Sequence, residues 1–162
     1  MDKNETYSTL VKQVESLIEG ENNATGQLAN TAALLKETMG WRWTGFYLVN
    51  GDTLQLGPFQ GPVACYSIKR GRGVCGTAWE QGRTIVVPDV EEFPGHIACS
   101  SLSRSEIVVP LHDGDGNITG VLDIDSKDVA AFDDVDAHWL EIIAQVLERH
   151  VFTPSSRPSK SS

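Results

Sequence analysis

No stretch of this 162-residue chain is apolar for long enough to cross a bilayer; a spanning helix needs about 20 such residues. The N-terminus, MDKNETYSTL, lacks a basic region followed by an apolar run, so no secretory signal is expected. The expected compartment is the cytoplasm. Positive charge is scarce, with 13 Lys and Arg against 22 Asp and Glu, a net charge of −9. Nucleic-acid binding rests on Lys and Arg against phosphate, and the one tight basic cluster here is Lys69, Arg70 and Arg72. Nucleic acid is therefore excluded as a partner. Cysteine is scarce too: Cys65, Cys75 and Cys99. Their spacings of ten and twenty-four residues contain no C-x₂-C pair, which argues against zinc. An odd cysteine count in a cytosolic chain leaves catalytic or redox chemistry, or unreactive packing.

What is present reads as one domain over 1–152, followed by a disordered tail over 153–162 whose composition, TPSSRPSKSS, cannot build a core. Apolar residues at Leu10, Val11, Val14, Leu17 and Ile18 have helical spacing. A second helix fits 25–39, stopped by Gly40. Residues 41–49 read as a strand, with Trp41 and Trp43 on one face. Asn50-Gly51 then marks a hairpin, with Thr53–Leu56 as the returning strand. Cys65 falls on a short strand over 65–68. A small helix over 73–81 opens at the GRG turn. Cys75 sits at its start, where the helix dipole favours a thiolate. Strands are also expected at 84–87, 106–111 and 118–124, and a last helix from Asp133 to about 151. Helices at both ends of an antiparallel run give an α+β fold with helices on one face and loops on the other.

The long loop over 90–104 carries Cys99, with His96 three residues before it. Unstructured loops of this length inside a domain are usually functional, although a lone cysteine is more often a small buried hydrophobe. Asp123 and Asp125 alternate on one strand face, opposite Leu122 and Ile124. They either repel on a solvated face or bind something. Glu106, on the preceding strand, reaches the same surface if the DGDG turn joins the two strands.

The segment from GPFQGPVAC through GVCG and PGHIACSS to SEIVVPL, with WTGFYLV upstream and GVLDIDS downstream, resembles the free methionine-(R)-sulfoxide reductases over about residues 41–126. These are single GAF-domain proteins acting on the free amino acid. The resemblance implies a GAF-like fold and reduction of free L-methionine-(R)-sulfoxide. It implies Cys99 as the attacking thiolate, Cys65 as the main resolving cysteine and Cys75 as a third cysteine, a disulfide relay in some members and dispensable in others. It further implies Glu106, Asp123 and Asp125 as substrate-binding carboxylates and Trp43 as the ring against the substrate methyl. No metal or organic cofactor is implied. Thioredoxin is the implied reductant and a homodimer the implied assembly, through the first helix or the tryptophan strand. Crowded carboxylates suit this chemistry, because one of them can stay protonated and polarise a sulfoxide. The alternative is a GAF-type sensor that holds a small molecule, such as a cyclic nucleotide, without turnover.

Overall fold

The computed structural model describes residues 2–96 and 102–153. Helix α1 (Lys3–Ile18) begins at Asp2, whose side chain accepts from the Glu5 N–H in a capping box. Helix α2 (Ala24–Met39) is capped by Asn23 and stops at Gly40, which takes a left-handed conformation. Strands β1 (Trp43–Asn50) and β2 (Thr53–Gln60) form the hairpin expected at Asn50-Gly51. The short strand β3 (Ser67–Lys69), helix α3 (Gly73–Gln81) and short strand β4 (Ile85–Val87) follow. One 3₁₀ turn occupies Val90–Glu92. Strands β5 (Ser105–His112) and β6 (Ile118–Ser126) lead to helix α4 (Asp134–Leu147), which Asp133 caps. The chain then winds through a wider turn over Glu148–Phe152.

The six strands form one antiparallel sheet in the order β3-β2-β1-β6-β5-β4. Side chains alternate across it. Phe46, Ile107, Val109, Leu111, Leu122 and Ile124 point to one face, where α1, α2 and α4 cover them with Leu10, Val14, Leu35, Leu140 and Ile143. The Tyr7 hydroxyl donates to Asp136 at 2.6 Å and Lys3 pairs with the same carboxylate at 2.7 Å, tying α1 to α4. Trp43, Tyr47, Val108 and Val121 point to the other face, where α3 packs with Val74, Ala78 and Trp79. This is the α+β arrangement that the sequence implied, with helices on one face and the site on the other.

Two expectations change. Trp41 does not share a face with Trp43. It precedes β1 and packs among the helices, its ring 5.7 Å from Phe132, because the left-handed Gly40 turns the chain before the strand starts. Cys65 is not on a strand. Gly61 and Pro62 keep the segment out of the ladder, and β3 pairs with β2 only from Ser67 onward.

Candidate active site

The sheet register assembles the site. Trp43 lies opposite Asp125 across β1 and β6, and Asp125 lies opposite Glu106 across β6 and β5. One cross-strand row therefore carries an indole and two carboxylates. The next row on this face runs Gly45, Asp123, Val108. Two residues along a strand separate the rows by about 7 Å. Above them a cavity is lined by these three carboxylates, Trp43 and Tyr47, the first turn of α3 at Gly73–Cys75, and Val63, Ala64, Ile68, His96 and Ser103.

The aromatic wall depends on a missing side chain. Trp43 stacks on Phe59 at 5.1 Å and on Tyr47 at 6.0 Å between ring centroids. Its indole lies over Gly45, where a Cβ would sit 2.7 Å from the ring and 2.3 Å from Phe59 Cβ. Both polar handles of the wall are committed. Trp43 Nε1 donates to the Pro62 carbonyl at 3.0 Å, and the Tyr47 hydroxyl donates to the Cys65 carbonyl at 2.9 Å. Together they hold the irregular segment bearing Cys65 against the sheet. Tyr47, like Ser103, was not singled out from the sequence. Its spacing of four from Trp43 on a strand would have found it. Nothing local marks Ser103.

Glu106 and Asp123 are buried, at 8% and 5% exposure, and Asp125 is partly so. Burial raises all three carboxyls above their ordinary range. Glu106 and Asp125 are pushed furthest, since the Asp123 charge adds to the desolvation of both. Asp123 rises less, because hydrogen bonds from Glu106 and Cys75 favour its ionised form. Asp123 Oδ1 meets no permanent N–H or O–H donor. Glu106 and the Cys75 thiol, when they carry their protons, can donate to the Asp123 carboxylate.

Cys75 departs from the expectation of a thiolate. It is buried, a free thiol, and held well above the ordinary cysteine range by desolvation and then by the charges of Asp123 and Glu106. The helix dipole that favours an anion there is outweighed by desolvation and then by its carboxylate neighbours. Cys65 is engaged in a disulfide. Cys99 lies outside the described residues. Among the described residues, Cys75, Glu106 and Asp123 are the group whose ligand atoms, within 4.8 Å of one another, could surround a cation.

These features define a small-molecule pocket on a GAF fold, and the GAF-domain family model matches residues 24–151. A relative from Dictyostelium discoideum named GAF domain-containing protein A is 56% identical over 90% of this chain and 92% of its own. The free methionine-R-sulfoxide reductase of Escherichia coli is 46% identical over 94% of this chain and 93% of its own. The X-ray structure of the free methionine-R-sulfoxide reductase of Neisseria meningitidis, in complex with its substrate, is 55% identical. It superposes with a TM-score of 0.90 over 93% of this chain and 90% of that one. The chain belongs to the free methionine-R-sulfoxide reductase family of GAF-domain proteins.

Proposed function

We propose that this protein reduces free L-methionine-(R)-sulfoxide to L-methionine. The observation that carries the reading is the pair of rows in the cavity, Trp43–Asp125–Glu106 and then Asp123. A sulfoxide is a poor electrophile until its oxygen is protonated or hydrogen-bonded. Glu106 and Asp125, the carboxyls most strongly held in the protonated form, are the proton donors to that oxygen. The Trp43 face on the same row packs the methyl group. Asp123, whose ionised form is best supported, holds the substrate ammonium.

Cys99 thiolate attacks the sulfoxide sulfur. In the resulting S–S adduct the oxygen takes a proton from the carboxyl and moves to the Cys99 sulfur as its bond to the substrate sulfur and the S–S bond break, so methionine leaves and Cys99 is left as a sulfenic acid. Cys65 then displaces that oxygen as water and forms a disulfide. An external dithiol reduces the disulfide, and thioredoxin is the proposed donor. The disulfide state of Cys65 and the free, high-pKa thiol of Cys75 support Cys65 as resolver and Cys75 as an auxiliary thiol.

The proposed setting is the cytoplasm; no described helix is long and apolar enough to cross a membrane. The proposed assembly is a homodimer. Since β1 lies in the middle of the sheet it offers no edge for pairing, which leaves α1, where Leu17 is exposed.

The direct test incubates the protein with each epimer of free methionine sulfoxide and a dithiol, and measures methionine. The R epimer should be consumed and the S epimer spared. Cys99→Ser should abolish turnover, whereas Cys75→Ser should retain much of it. Equal loss in both variants would reassign the attacking and resolving roles.

A further inference from the structure

The cavity concentrates negative charge. Glu106, Asp123 and Asp125 line it, and among the described residues no Lys or Arg does. Arg42 offsets part of this charge at Asp125. Cys75 adds a thiol to the same wall. The ligand atoms of Cys75, Glu106 and Asp123 lie within 4.8 Å of one another, and all three residues are buried. They come from α3, β5 and β6, and 31 and 17 positions separate them in the chain. The sequence argument against zinc looked for a close cysteine pair, and no such pair is needed when three elements each supply one ligand.

Two buried polar atoms on this wall call for a ligand. Asp123 is 5% exposed, and its Oδ1 has no hydrogen-bond partner. Ser103 is 9% exposed and lines the same cavity, and its Oγ is likewise unpartnered. Such groups are costly to leave unpaired. A cation on Asp123 would satisfy the first, and a water carried by that cation would satisfy the second. The donor set selects the ion. Mg²⁺ and Ca²⁺ take oxygen ligands, whereas one thiolate with two carboxylates suits a softer ion. Zn²⁺ binds thiolate sulfur at about 2.3 Å and carboxylate oxygen at about 2.0–2.2 Å. A tetrahedron of those bonds holds its ligand atoms about 3.3–3.7 Å apart, which small side-chain shifts reach from the spacing found here.

We infer that Cys75, Glu106 and Asp123 form an inhibitory Zn²⁺ site, with the fourth position of the ion left to water. The Cys75 thiol and the Glu106 carboxyl release their protons to solvent as they bind the ion, and no oxidation state changes. The ion is not a cofactor. It occupies the two carboxylates that the proposed function assigns to the sulfoxide oxygen and the substrate ammonium, so zinc and substrate exclude each other. Binding of the ion stands on the cluster alone, whereas the inhibition rests on the reading above. Cys75 is a free thiol while Cys65 is in a disulfide, so the oxidised protein offers the site as well.

Calorimetric titration of Zn²⁺ into the protein with its disulfide closed reads the site without competing thiols. One ion should bind. Cys75→Ser and Asp123→Asn should each weaken it by at least about 100-fold, beyond the 10–100-fold usual for an outer-shell partner, with circular dichroism checking that both variants are folded. Mg²⁺ should not displace the ion. Co²⁺ should bind with a thiolate charge-transfer band that Cys75→Ser removes. In single turnovers of reduced protein freed of excess reductant, Zn²⁺ should raise the concentration of methionine sulfoxide required, and EDTA should restore the rate. A wild type that binds no zinc would overturn the inference, and so would a Cys75→Ser variant that binds it equally well. Zinc binding that leaves single turnovers untouched would overturn the inhibitory role. A protein that binds zinc but makes no methionine in its absence would overturn the reductase reading and leave the metal site standing.

Discussion

The two faces of the central sheet are built from the same strands and obey opposite rules. On β6, Leu122 and Ile124 enter a helix-covered core dominated by buried apolar side chains. Their immediate neighbours Asp123 and Asp125 enter the cavity under α3. The first face lowers the free energy of the fold by removing apolar surface from water. The second raises it, because three carboxyl groups are gathered where desolvation and mutual repulsion oppose their ionisation. Stability and chemistry are thus separated by a single residue along each strand, with the first supporting the second.

Substitutions can break this contrast, and the largest effect is expected on the site face. Glu106→Gln keeps the shape but removes the acidic proton. It should lower kcat/KM by about 10²–10⁴-fold, the usual size of a general acid contribution, with the folded state intact by circular dichroism. Wild-type kinetics in Glu106→Gln would return that carboxyl to a structural role. On the opposite face, Leu122→Ala should cost about 2–5 kcal/mol in chemical denaturation, with KM for the sulfoxide little changed. A KM that moved with stability would mean that the two faces are not separable.

The smallest effect is a pH dependence. Glu106 has a folded pKa raised above its ordinary 4.5, so the folded state binds its proton more tightly than the unfolded chain does. The stability this contributes is fully present below 4.5 and is lost as pH climbs through the raised value. Glu106→Gln has no proton to lose. Its melting temperature should therefore exceed that of the wild type at pH 8, by about 2–4 °C for each kcal/mol relieved, and the gap should close toward pH 4.5. A constant gap across pH would assign the gain to packing instead.

Much of the fold was legible because its signals are local. The helical spacing from Leu10 to Ile18, the Gly40 stop, the Asn50-Gly51 hairpin and the Asp133 cap all appear where short-range rules place them. The coplacement of Glu106, Asp123 and Asp125 followed from period two and the DGDG turn, and their register bears it out. What failed depended on tertiary context. Trp41 looked like part of β1 until the turn at Gly40 sent it among the helices. For Cys75 the sequence left a dipole-favoured thiolate open beside buried packing, because the helix terminus is visible in sequence, whereas the carboxylates it docks against lie about 30–50 positions away. Ser103 emerged only when the loops closed over the sheet, whereas Tyr47 follows from its spacing of four from Trp43 on β1.

The register of β6 has a consequence for how the sheet finds its native pairing. A slip of one residue against β1 and β5 would turn every side chain of the strand to the opposite face. Asp123 and Asp125 would then face Phe46 and Ile107 in a dry hydrocarbon layer, and Leu122 and Ile124 would enter the polar cavity. The residues that make β6 costly in the right place make it far costlier in the wrong one, so the carboxylate pair also marks the native register.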